Sequence, residues 1–272
     1  MKLPSIPGAV LDFGSQSLRR FIQVEGAQQA TVLSAQAFTS LIPFLVVASA
    51  FGPGDDDLAD RINERFDIHG SAARSVEALF ADSGDVESAV TWVSIVILVL
   101  SATSFTRALQ KMFERAYETE PVGWKEAWRG LAWLAALGLW LVVSSPLRET
   151  LEDVAGIVFA IGMSTALGFV VWLATPIILL GGMDWRRLLP GALVSAVLGA
   201  LLGAASGIYM PIVLTWSADK YGLIGIAFSI QSWLLAASFV VVVGAVIGAL
   251  ASERFAPYFE RLGKRRTGEP AG

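Results

Sequence analysis

The chain has 272 residues, a formal net charge of −4, no cysteine and a single histidine, His69, and these counts exclude disulfides, thiolate metal sites, cysteine nucleophiles and multi-histidine metal centres. Only 16% of the residues are charged, against about 25% in a soluble domain. The 54% that are hydrophobic lie in long blocks, with a mean hydropathy of +0.61.

Met1 to Ala9 lacks the charged start, apolar core and cleavage site of a signal peptide, so insertion is expected to be directed by the first apolar run. Leu11, Leu18, Phe21 and Ile22 recur at near-helical spacing beside Arg19 and Arg20. This predicts an amphipathic helix in a cytoplasmic segment, residues 1–28, lying on the membrane surface. The first span is Thr31–Phe51, closed by Gly52-Pro53-Gly54. An acidic loop, 52–88, follows; Leu58, Ile62 and Phe66, then Val76, Leu79 and Phe80, predict two short amphipathic helices broken at His69-Gly70. Five further spans are Ala89–Phe105, Trp128–Ser145, Val154–Leu180, Leu188–Leu214 and Leu223–Leu250. The polar tail, 253–272, is expected to lose order from about Gly263.

About 20 residues at 1.5 Å rise cross a ~30 Å hydrocarbon core, and lipid offers no partner to an unpaired backbone group, so all six spans are expected to be helices. The fold class is therefore an all-α polytopic bundle of six transmembrane helices over residues 29–252. Orientation follows from basic residues. With the N-terminus inside, fifteen lie on the cytoplasmic side: Lys2, Arg19 and Arg20; Arg107, Lys111, Arg115, Lys125 and Arg129; Arg186 and Arg187; Arg254, Arg261, Lys264, Arg265 and Arg266. Five lie outside: Arg61, Arg65, Arg74, Arg148 and Lys220. The positive-inside rule gives N-in, C-in.

The fifth span carries Gly191, Ser195, Gly199, Gly203 and Gly207 at four-residue spacing, and the sixth repeats the step with Gly244 and Gly248. Such a face lets a neighbouring backbone approach closely, in static packing or as a sliding surface. Polar residues in the spans are uncharged. Gln36, Thr39, Ser104 and Gln231 are the candidate substrate-lining residues, because a glutamine amide in hydrocarbon must find a partner. Pro43 and Pro176 are expected to kink their helices. The absence of charge in the spans argues against ion pumping and for a neutral or amphipathic cargo. Gly54-Asp55-Asp56-Asp57 matches no calcium-loop spacing and reads as a cap or a solvated turn. No cofactor or metal is expected, and no nucleic acid.

Three stretches together resemble the YihY / virulence factor BrkB family, also labelled ribonuclease BN-like. They are Ala30–Leu45 (ATVLSAQAFTSLIPFL), Ser101–Tyr117 (SATSFTRALQKMFERAY) and Tyr221–Ala249, which opens YGLIG and passes through Trp233 to Gly244-Ala245. Where the family has Gly-Ala-Glu-x-Asn, this chain reads Gly244-Ala245-Val246-Ile247-Gly248, without the acid or the amide. The resemblance implies a multi-pass protein of the bacterial inner membrane with six helices and a transporter-like or envelope-related role. The ribonuclease label does not fit these residues. RNA hydrolysis needs metal-binding carboxylates and histidines or a histidine acid–base pair, and one outward-facing histidine supplies neither; no enzyme activity is expected. The alternative is a structural or partner-binding membrane protein acting through its acidic outer loop and basic tail. Clustered Lys and Arg beside a span would draw anionic lipid at the cytoplasmic face, at about 1 kcal/mol each.

Overall fold

The computed structural model describes residues 6–51, 88–123, 126–137, 162, 165–181 and 183–267. These are helical almost throughout, with no strand among the described residues. The elements are α1 (Ile6–Gln23), α2 (Gly26–Phe51), α3 (Ser88–Tyr117), α4 (residues 128–137), α5 (Thr165–Gly181) and α6 (Trp185–Thr267). The predicted helices of the acidic loop, and the facing ends of the third and fourth spans, lie outside the described residues. The helix through the tail continues to Thr267, past the point where composition alone ends it.

Among the described residues, two stretches are long and apolar enough to cross a membrane, Ile95–Tyr117 and the 70 residues Trp185–Arg254. Many of their apolar side chains are uncovered by protein: Leu100 is 63% exposed, Phe228 69% and Ile208 75%. A core helix of a soluble protein would bury such residues; here hydrocarbon is the solvent that fits them. At 1.5 Å per residue, 70 residues would run about 105 Å if straight, more than three times the hydrocarbon thickness. α6 does not run straight. At Gly222 the backbone takes φ 62° and ψ −145°, a region open in practice only to glycine. The stretches expected as fifth and sixth spans thus fall on the two arms of α6, 185–221 and 223–267, on either side of Gly222.

The chain packs as two compact units. One comprises Met1–Gln29, Gln110–Gly199 and Phe239–Gly272. In it α1 turns Phe13, Ser17 and Arg20 inward, Phe21 stacks on Phe239 at 6.2 Å, and Leu11, Leu18 and Ile22 face outward. The core is made by Met112, Phe113, Leu179, Leu188, Val242 and Val246. The two arms of α6 meet here at their glycines. A methyl group on Gly191 would sit 3.3 Å from the Cα of Gly248, and one on Gly244 would stand 3.2 Å from the Cα of Ser195. Stepping four residues forward on one arm while stepping four back on the other marks antiparallel packing.

Pro176 has no N–H to give the preceding turn, and α5 widens directly after it into a π-turn over Ile177–Gly181. The buried Gln110 Nε2 donates to the Leu179 carbonyl of that turn at 2.7 Å, and Trp133 Nε1 donates to Thr175 Oγ1 at 3.1 Å. α6 then starts on Asp184, whose Oδ1 accepts the Arg186 N–H at 3.1 Å as an N-cap. The other unit comprises Ala30–Leu109 and Ala200–Ser238. Among its described residues the charged side chains are Arg107, Asp219 and Lys220.

Candidate functional site

Within this second unit, Gly222 reverses the chain and the arms on either side lie against each other. Gly225 is buried because the Ser217 carbonyl presses where its Cβ would stand. The two glycines of YGLIG thus serve different demands, backbone conformation at Gly222 and close approach at Gly225. Two side-chain bonds then tie the arms. Ser229 Oγ donates to Ser217 Oγ at 3.0 Å, and Trp233 Nε1 donates to Ser206 Oγ at 2.6 Å.

Beside these bonds the arms form a half-open cavity of about 700 Å³, inside the range of small-molecule sites. One wall is Leu202, Ser206, Tyr209, Met210, Val213 and Ser217, at helical spacing; the other carries Tyr221, Ile224, Phe228, Ser232, Trp233 and Ala236. Among the described residues no carboxylate, lysine or arginine lines it. Hydroxyls and one indole N–H stand among aliphatic and aromatic groups, so the cavity suits an apolar chain with few polar atoms. It offers no nucleophile paired with a base.

The sequence-predicted lining residues fall elsewhere. Gln36, Thr39 and Ser104 lie in the same unit but off the cavity wall, and Thr39 Oγ1 donates to Ala35 O of its own helix. Gln231 Nε2 donates to the fully buried Ser34 Oγ at 3.3 Å, while its Oε1 is buried without a hydrogen-bond partner. Of the small-residue stripe, Gly191, Ser195, Gly244 and Gly248 come together at the arm contact. Gly199 stands against Trp172, whereas a Cβ on Gly203 or Gly207 meets nothing within 4 Å. Sequence reasoning missed Ser206, Tyr209 and Ser217. Their signal was a three-to-four-residue spacing on the face beside the glycine stripe.

A second, polar cleft of about 790 Å³ belongs to the first unit and is lined by Arg20, Glu25, Lys111, Glu114, Arg115, Glu118 and Thr119, among others. Its walls are braced reciprocally. Arg20 Nη1, in the last turn of α1, meets Glu118 Oε1 at 2.5 Å, and Arg115 Nη1, in the last turn of α3, meets Glu25 Oε2 at 2.7 Å. Both glutamates sit just past a helix end with positive φ, 55° and 51°, where glycine is the usual residue. A second link to α1 comes from Arg254, which reaches Gln16 Oε1 at 2.8 Å and lies over the Phe13 ring. Exposed pairs of this kind contribute about 0–1 kcal/mol each and weaken in salt. Arg20→Gln should therefore loosen α1 modestly, raising trypsin cleavage at the exposed Arg19 several-fold at low salt. Unchanged cleavage would show that Phe21 and Arg254 hold α1 without Arg20.

A family model described as Virulence factor BrkB matches residues 17–269 of the chain. None of the curated proteins and none of the solved structures matches.

Proposed function

The chain belongs to the virulence factor BrkB family, and from that membership we propose that it is a multi-pass protein of the bacterial inner membrane that takes an amphipathic, lipid-like cargo between the arms of α6. The observation that carries this reading is the 700 Å³ cavity, lined by hydroxyl, aromatic and aliphatic groups, with no formal charge among its described lining residues. Such a lining favours an apolar chain over an ion or a sugar, since an ion would need paired charges and a sugar a dense set of hydrogen-bond partners. Six spans with both termini in the cytoplasm, as the basic residues indicate, would put the Gly222 turn at the outer face. The outward stripe of Leu11, Leu18 and Ile22, with Arg19 beside it, suits an interfacial helix on an anionic inner leaflet. No enzymatic step is part of this reading.

The absence of native cysteine makes the test direct. A single Ala236→Cys protein carrying a bimane label should be quenched by brominated lipid, and Ala205→Trp, which fills the opposite wall, should at least halve that quenching while helix content and monodispersity hold. Quenching indifferent to Ala205→Trp would mean that the label sees bulk bilayer, and the cargo reading would fall. Asp219→Cys should react with an impermeant maleimide added to intact spheroplasts; labelling only in inverted vesicles would reverse the orientation.

A further inference from the structure

Resting on that cargo reading, we propose that the cavity selects an anionic phosphate-bearing lipid, the phosphate held at Lys220 and the chain lying along Tyr221, Phe228 and Trp233. Lys220 is the cation nearest the cavity in sequence, and its Nζ stands 4.9 Å from the Trp216 ring and 5.2 Å from the ring of Tyr221, which is itself a wall residue. Two aromatic faces thus hold the ammonium beside the cavity without neutralising it. No carboxylate lies within ion-pair distance of Lys220 among the described residues. Asp219, the one carboxylate of this unit among the described residues, is engaged in an interaction of its own.

Ser217 is 94% buried, lines the cavity, and accepts the Ser229 hydroxyl proton at 3.0 Å. The Ser229 hydroxyl also reaches the Gly225 carbonyl at 2.9 Å, and its oxygen is in turn an acceptor for the Ser217 proton, so the pair is satisfied within the protein and the charge recognition falls to Lys220. A cation held on aromatic rings beside a long apolar lining forms a headgroup-and-tail pattern. A neutral glyceride would leave Lys220 without a role. An acidic protein segment would bring its backbone amides into an apolar cavity that has few partners for them.

The bimane label at Ala236→Cys reads the outcome, with brominated phosphatidic acid, phosphatidylcholine and diacylglycerol in otherwise identical vesicles. Phosphatidic acid should quench at about fivefold lower mole fraction than diacylglycerol, with phosphatidylcholine between them, the size of one screened charge contact. Lys220→Gln should erase that preference and Lys220→Arg should keep it. Equal quenching by all three lipids, or a preference unmoved by Lys220→Gln, would overturn the headgroup assignment and leave the cavity reading standing. No quenching by any lipid would remove both.

Discussion

Gly248→Ala should destabilise the protein by about 3 kcal/mol, the upper end of the overpacking range, and Gly248→Leu by more. The added Cβ would fall well inside van der Waals contact distance of the Gly191 Cα and 2.9 Å from the Tyr117 hydroxyl oxygen. A flexible side chain could swing aside, but the backbone of Gly191 can move only by parting the arms. The same substitution at Gly203 or Gly207 meets nothing within 4 Å and should stabilise by about 0.5–1 kcal/mol through helix propensity. Thermal unfolding in one detergent, for all four variants, checks the contrast. Equal effects along the stripe would show that the arms do not meet at Gly191 and Gly248.

Gly222→Ala should cost about 1–3 kcal/mol although its Cβ would enter open space, because the penalty lies in the backbone angles alone. Asparagine tolerates the left-handed helical region but not ψ −145°, so Gly222→Asn should bring no relief. Gly225→Ala should cost at least as much for a different reason, since its methyl would strike the Ser217 carbonyl. A double variant with Ser217→Ala tests that the carbonyl of Ser217, and not its hydroxyl, meets Gly225. Removing the hydroxyl leaves the carbonyl in place, so neither glycine defect should be rescued. Measured tolerance of Gly222→Ala would mean the chain reverses elsewhere.

Much of this was legible in the residues. The spacing of Leu11, Leu18 and Ile22 marked α1, and the apolar blocks marked the long helices that the structure shows where it describes them. Family membership could be read from YGLIG, Trp233 and Gly244-Ala245, and the match over 17–269 bears that resemblance out. Other features were not legible, for physical reasons. Four-residue spacing fixes a helix face but not the depth at which another helix crosses it, so Gly191 and Gly207 read alike. The polar path was sought at glutamines, the costliest groups to bury, while the cavity is lined by serines whose cost is mostly met by bonds to their own helix or across the arms, as at Ser206, Ser229 and Ser232. Glutamates with positive φ at two helix ends carry no composition signal, since glycine is the residue expected there.

The turn at Gly222 also bears on how the chain can assemble. Contacts between the arms begin twelve residues apart at Ser217 and Ser229, then widen to twenty-seven at Ser206 and Trp233 and to fifty-seven at Gly191 and Gly248. Loop-closure entropy rises only with the logarithm of length, and each contact made shortens the loop left to the next. The arms can therefore zip outward from the turn, each step local once the previous one is made, which is the regime of low contact order and fast folding. In such a zipper the turn acts on the rate of closing, while the Gly191–Gly248 contact, last to form and first to open, acts on the rate of coming apart.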